Sequence, residues 1–224
     1  ICERMGGPHQ RVRQTTAETF DLTDIAAPVA VAVELPAGVG LPRACGLPDD
    51  AFAHDGQITK RPVRALTLSA LAPRPGEHLW DLGAGSGSIS VEWCLAGGRA
   101  TAFEINPDRS ANITRNIANF GLLARMQVVN GPSQDHIATA PPPDAVFVGG
   151  GGDRALFQAL FEALPAGTRL VANGVTLETE TLLATLHGTM GGTLMRIELA
   201  AAKPLGRMRG WQPMRPIVQW SATL

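Results

Sequence analysis

No charge of one sign dominates this chain of 224 residues: 19 lysines and arginines face 20 aspartates and glutamates, a formal net charge of -1. That balance excludes a global basic field of the kind that draws a protein to nucleic acid or to an anionic membrane. Neither is an expected partner, and any polyanionic ligand must be met locally. Cysteine is scarce, and Cys2, Cys45 and Cys94 are odd in number, far apart and without metal-ligand spacing. This excludes a disulfide framework and a cysteine metal site; the three read as reduced, buried thiols of a cytoplasmic protein. His54, His78, His136 and His187 also lack metal spacing, so no metal is expected. No apolar run approaches the ~18 residues of a spanning helix, and the most apolar stretch, Val29 to Val33, is closed by Glu34 and Pro36. No basic stripe interleaves with the aromatic residues, which therefore read as packing rather than as stacking platforms for bases. No Ser/His/Asp or Cys/His set stands out as a nucleophilic centre.

What is present is an ordinary globular composition, 45% hydrophobic and 17% charged, long enough to bury one sizeable core. The first residue is Ile1, and the opening stretch to Arg13 is no signal peptide; the expectation is a piece of a longer protein. Residues 1 to 34 hold one short apolar run, followed by the punctuated Pro36-Ala-Gly-Val-Gly-Leu-Pro42, which reads as a linker. We place a boundary near residue 46, with residues 1–46 as an appendage and 47–224 as the main domain.

From there the pattern is regular. Thr59 is the expected cap of a helix with Pro62 in its first turn and an apolar face of Val63, Leu66, Leu68 and Leu71. Buried-strand patterns recur at 78–82, 101–105, 126–129, 145–148 and 169–172, separated by helical segments near 88–97, 107–120, 133–139, 153–163 and 176–187. Strand alternating with helix predicts an α/β fold with a mostly parallel, doubly wound sheet. Two last strands, 193–199 and 216–220, have no helix between them, which predicts an antiparallel edge hairpin and a seven-stranded, Rossmann-like class I methyltransferase architecture. In such a sheet ligands belong at the carboxyl ends of the strands, near the topological switch point.

The stretch Asp81-Leu-Gly83-Ala84-Gly85-Ser86-Gly87 follows the first core strand and opens a helix. Glycines allow a tight turn and a close backbone approach to a ligand. A dinucleotide fingerprint needs glycine where this chain has Ser88. The leading Asp81 suits an ammonium better than a pyrophosphate, which it would repel. Glu104 ends the next strand, where an acid accepts ribose hydroxyls. Together these point to S-adenosylmethionine, with S-adenosylhomocysteine as product. Ser133, after the third strand, is placed either to cap a short helix or to touch the adenine.

Pro48-Asp-Asp-Ala-Phe52, Gly56-Gln-Ile-Thr59-Lys60, Val63-Arg64-Ala65, the glycine loop 81–87, Phe147-Val-Gly149-Gly150-Gly151-Gly152 and Val171-Ala-Asn-Gly-Val-Thr-Leu-Glu178 together resemble the decarboxylating precorrin methyltransferases of cobalamin biosynthesis, over residues 47 to about 222. In two-domain members of that family the domain follows an unrelated tetrapyrrole methylase, and residues 1–34, with Gly6-Gly-Pro8 and Arg11-Val-Arg13, look like its tail. The resemblance implies methylation at carbon 15 of a precorrin (precorrin-7 to precorrin-8), decarboxylation of the ring C acetate arm and a homotetramer. By motif, the implied cofactor contacts are Thr59, Asp81, Gly83, Ala84, Gly85, Ser86, Gly87, Glu104 and Ser133. Relatives often carry a serine in the glycine run after the fourth strand; here the run is all glycine, so it offers no side-chain hydroxyl.

The tetrapyrrole substrate is a plate edged with carboxylates, which asks for arginines around a glycine-lined floor. Gly149, Gly150 and Gly151 are the candidate floor. Between Leu199 and Leu224 there are four cations, Lys203, Arg207, Arg209 and Arg215, and no acid. The loop from Lys203 to Arg209, with Arg207 and Arg209, is the candidate clamp. A transfer-RNA adenine methylase, or a nucleotide-binding module without turnover, remains the alternative on the cofactor motifs alone. His54 and Asp55 are the candidate lid.

Overall fold

The computed structural model describes all 224 residues, which form two compact units, Ile1–Leu41 and Pro42–Leu224. The first unit is a small antiparallel sheet of β1 (Cys2–Glu3), β2 (Arg11–Val12) and β3 (Val29–Ala30), with β1 in the middle. Its centre is the buried Glu3, whose carboxylate accepts from Arg11, Arg13 and the Ala26 amide. Those partners, Arg11 first, hold its carboxyl down to about 2.

The second unit alternates α1 (Arg61–Leu71), β4 (His78–Leu82), α2 (Ser88–Leu95), β5 (Arg99–Glu104), α3 (Pro107–Asn119), β6 (Met126–Asn130), α4 (Gln134–Ile137), β7 (Ala145–Val148), α5 (Arg154–Ala163), β8 (Arg169–Gly174) and α6 (Leu177–Met190). It ends in β9 (Thr193–Ile197), β10 (Ala200–Leu205), β11 (Met208–Pro213) and β12 (Ile217–Thr223). Seven strands form one sheet in the order β6-β5-β4-β7-β8-β12-β9. β4 to β8 are mutually parallel, and β12 runs antiparallel between β8 and β9. This is the class I methyltransferase sheet. No helix is long and apolar enough to cross a membrane.

Period-2 alternation sends side chains to two cores. Leu79 and Phe147 pack with α1, α2 and α3 residues such as Leu71, Trp93 and Ile113 on one face. Trp80, Leu82, Val146 and Val148 pack with Leu156, Phe157 and Trp220 on the other. Burying one such side chain stabilises by roughly 1.5–3 kcal/mol, so the sheet is gripped from both sides.

Several expectations change. Leu66 points outward, and the inner face of α1 carries Arg64 and Thr67 beside Val63, Leu68 and Leu71. Thr59 is not the cap of α1; Lys60 holds that position without a side-chain bond, and Asp49 Oδ1 accepts the Arg61 amide instead. Of the cysteines only Cys94 is buried. The expected loop 203–209 is a β-ribbon, β10 against β11, closed by the two residues Gly206 and Arg207. Alternating residues with no core to cover form a ladder with each other when a two-residue turn with a positive-φ glycine closes them.

Candidate active site

The chain reverses direction across the sheet between β4 and β7, so the loops leaving these neighbours share the switch point. One is the glycine loop 83–87; the other is Gly149–Gly152. The Gly149 amide donates to the Leu82 carbonyl, 3.0 Å, and a Cβ on Gly83 would lie 2.5 Å from the Gly150 carbonyl oxygen. Gly149, Gly150 and Gly151 are exposed and Gly152 is half-buried; the run lies on the glycine loop rather than apart from it.

The loop spends four of its five amides inside the fold. Gly83 and Ala84 donate to the Phe103 carbonyl, Gly87 to the Ala84 carbonyl, and Gly85 to Glu104 Oε2 at 2.7 Å. Glu104 is buried, and its Oε1 accepts from the Asn106 amide. Amides engaged in this way do not cradle a phosphate. Asp81 is fully buried at the end of β4; Oδ2 accepts from Ser90 at 2.7 Å, while Oδ1 has no partner. Burial, with Glu104 nearby, pushes its carboxyl up to about 7 against the pull of Ser90. The Ser86 hydroxyl is a second buried group without a partner. Buried polar atoms are seldom left unpaired, and a ligand bearing hydroxyls and an ammonium suits this set.

Residues 46–60 form a strap over the loop. Arg64 on α1 is fully buried and anchors it: Nε donates to Glu92 Oε1 at 2.6 Å, Nη1 to Asp49 Oδ1 and the Thr59 carbonyl, and Nη2 to the Leu47 carbonyl. The guanidinium lies over the Phe52 ring, 4.7 Å from its centroid. Glu92 in turn accepts the amides of Gly46 and Leu47 at 2.6 and 2.9 Å. Farther along, the buried Asn116 of α3 takes both backbone groups of Ala53 and donates to the Ser86 carbonyl at 2.9 Å. Asp55 pairs with Arg109 at 2.8 Å, His54 accepts the Gly56 amide, and the Gln57 carbonyl passes 3.6 Å from where a Gly85 Cβ would stand.

The structure thus gathers Asp81, the glycine loop, Glu104, the glycine run and the segment carrying Thr59. Ser133 stands half-buried just before α4 and makes no capping bond; that helix is only four residues long, shorter than expected. Gly131, two residues earlier, donates to the Glu104 carbonyl and so ties this turn to the same strand end. The basic clamp is not a unit. Residues directly paired across a ribbon share a face, so Lys203, opposite Gly210, faces away from Arg209, which pairs with Pro204. Arg207 sits in the turn itself.

Residues 50–224 match the family model described as the precorrin methyltransferase domain. The chain belongs to that family. Across its whole length it is 48% identical to a precorrin-6Y C(5,15)-methyltransferase (decarboxylating) of Sinorhizobium sp., covering 55% of that protein. The chain therefore spans about half the length of the curated relatives it matches at full coverage. A probable cobalt-precorrin-6B C(15)-methyltransferase (decarboxylating) of Pyrobaculum calidifontis is 33% identical over 77% of this chain and 92% of its own. Among solved structures, the C-terminal domain of precorrin-6Y C5,15-methyltransferase from Rhodobacter capsulatus is 59% identical over 82% of this chain and all of its own, with a TM-score of 0.81.

In this precorrin methyltransferase domain the strap explains motif residues that the chemistry alone did not. Asp49 serves both the Arg61 amide and Arg64, and Phe52 supplies the face on which Arg64 lies. Sequence reasoning missed Glu92 and Asn116. Both lie within helices, where an isolated polar residue gives no sign that it faces inward; the one available signal was the unusually apolar α2 around Glu92, a helix buried on every side.

Proposed function

We propose that this chain transfers the methyl group of S-adenosylmethionine to carbon 15 of a precorrin, taking precorrin-7 to precorrin-8, with loss of carbon dioxide from the ring C acetate arm. The observation that carries the reading is a glycine loop with four of its five amides spent internally, set between the buried Asp81 and Glu104 and covered by a strap, in a chain of this family. Carbon 15 is favoured over carbon 5 by coverage. The relative named for carbon 15 alone is covered over 92% of its length, whereas the one named for both carbons is covered over 55%. We assign residues 1–46 to the tail and linker of a preceding tetrapyrrole methylase domain, and the assembly to a cytoplasmic homotetramer.

Glu104 accepts the ribose hydroxyls with the lone pairs that Gly85 and Asn106 leave free. Gly83 to Gly87 admit the amino-acid end close to the backbone, Thr59 covers the site from the strap, and Ser133 meets the adenine from the turn after β6. The bound cofactor supplies an activated methyl on a sulfonium. The chain's work is to hold acceptor and donor in line and exclude water, which is worth about 7–11 kcal/mol in effective-molarity terms. Gly149, Gly150 and Gly151 let the flat acceptor approach without a side chain intervening. For decarboxylation the conjugated macrocycle accepts the electron pair, so the protein orients the carboxylate and needs no nucleophile of its own.

Incubation with precorrin-7 and S-adenosylmethionine tests this. The expected product has gained one methyl and lost one carbon dioxide by mass, and Glu104→Ala weakens cofactor binding by about 1–3 kcal/mol in calorimetry. A wild-type chain that binds neither S-adenosylmethionine nor S-adenosylhomocysteine would refute the reading.

A further inference from the structure

A cleft of about 510 Å³ lies between the start of α1, the end of β8, the edge strands and the base of the ribbon. Its walls are apolar, with Val63, Val175, Ile197 and Ile217 among them, and three cations line it, Lys60, Lys203 and Arg215, with no carboxylate. Lys60 stands 3.8 Å from Asp49. The remaining ion pairs of the C-terminal half are made by Arg169 and Arg196, so Lys203 and Arg215 have no acidic partner in the chain. The ribbon face that carries Lys203 also carries Ala201 and Gln212, which line the cleft, and the exposed Leu205 and Met208, which extend its apolar surface. Arg207 and Arg209 do not line it.

The cleft adjoins the active site through the chain itself. Lys60 follows Thr59, and Gln57 lies against Gly85. Val175 follows β8, whose parallel neighbour β7 delivers the glycine run. An apolar wall rimmed by three cations, two of them without counter-charge, matches a flat apolar ring edged with carboxylates, and its volume is within the ~300–1,000 Å³ usual for small-molecule clefts.

We propose that this cleft takes the carboxylate-bearing edge of the tetrapyrrole, with Lys203 and Arg215 holding its carboxylates, in place of a clamp at the ribbon tip. The proposal rests on the precorrin reading above. The probe is uroporphyrin III, a stable octacarboxylate of the same class, titrated by calorimetry into the wild-type chain, Lys203→Ala/Arg215→Ala and Arg207→Ala/Arg209→Ala. The expected result is at least a tenfold rise in Kd for the Lys203/Arg215 pair and less than a twofold change for the Arg207/Arg209 pair. Affinity for S-adenosylhomocysteine and the sedimentation coefficient stay unchanged in both, and the KM for precorrin-7 rises in the first pair only. If the wild-type chain turns over precorrin-7 and the Lys203/Arg215 variant does so with the same KM, the cleft assignment alone is overturned. A loss of uroporphyrin binding that comes with a smaller assembly makes the cleft a contact between copies, which also overturns it. A wild-type chain that binds S-adenosylhomocysteine but neither uroporphyrin III nor precorrin-7 overturns the precorrin reading, and the proposal with it.

Discussion

Gly83 and Gly150 meet backbone to backbone, so that a Cβ built on Gly83 falls 2.5 Å from the Gly150 carbonyl oxygen, while one built on Gly150 has only the Gly83 carbonyl oxygen, at 4.0 Å, within reach. The contact joins the two loops of the switch point, yet it is asymmetric: Gly83 also holds a φ of +68°, which an L side chain rarely adopts.

That asymmetry separates two small substitutions at one contact. Gly83→Ala combines a left-handed backbone cost with backbone overlap and is expected to destabilise by about 2–4 kcal/mol. It should also weaken S-adenosylhomocysteine binding at least tenfold. Gly150→Ala is expected to stay within about 0.5 kcal/mol of wild type. Urea unfolding and calorimetry on both proteins check this; equal effects would mean that the loops do not touch as described.

Asn116 offers a second test, because its side chain is the one link between the strap and the glycine loop that uses both ends of an amide. Asn116→Ala leaves the Ala53 and Ser86 backbone groups without their partner and is expected to cost about 2–3 kcal/mol. Asn116→Asp keeps an acceptor for the Ala53 amide but sets a negative oxygen against two carbonyls, so it is expected to be no more stable than the alanine. Thermal unfolding orders the three proteins, and an aspartate variant as stable as wild type would remove the bridge from the account.

The contrast between these residues shows what a single sequence displays. The glycine loop, Asp81 and Glu104 were legible because close backbone approach and charge at strand ends leave a spacing along the chain. The alternation of strands and helices was legible because burial on two sheet faces imposes a period. Arg64, Glu92 and Asn116 were not read as a set, since their function is to tie segments up to 63 residues apart, and no local pattern records a partner at such distances. The ribbon was misread for a related reason. Its strands pair only with each other and lie exposed, so they lack the apolar alternation by which a buried strand is recognised.

Asp81 makes stability depend on pH in a direction opposite to most acids. An aspartate ordinarily titrates near 3.8, and burial raises this one to about 7, so between these values the folded chain holds a proton that the unfolded chain has lost. The group's contribution is therefore complete below about pH 4 and declines as pH rises towards 7. Asp81→Asn removes the ionisation, and its unfolding free energy from urea titration is expected to fall less than that of wild type over this window, by up to about 4 kcal/mol. Parallel pH profiles for the two proteins would show that Asp81 is not held protonated.

The Arg64–Glu92 pair gives the sharpest test of the strap. Both groups are buried, and each also serves backbone groups of residues 46–59: Arg64 the carbonyls of Leu47 and Thr59, Glu92 the amides of Gly46 and Leu47. Removing Arg64 leaves the Glu92 carboxylate uncompensated in a poorly solvated site, so Arg64→Met is expected to cost about 3–5 kcal/mol. Glu92→Gln leaves the guanidinium with the half-buried Asp49 as its one carboxylate partner and loses one acceptor oxygen, so its cost is expected to be smaller. In the double variant neither charge is left alone, and its loss should fall short of the sum of the singles by at least about 1.5 kcal/mol. The strap has a second readout. Because Arg64 holds the Thr59 carbonyl, Arg64→Met is expected to weaken S-adenosylhomocysteine binding even at temperatures where the variant is fully folded. A double-mutant cycle by urea unfolding, with calorimetry on the folded variants, measures both. Additive losses would show that the two side chains act independently, and unchanged affinity would show that the strap does not cover the cofactor.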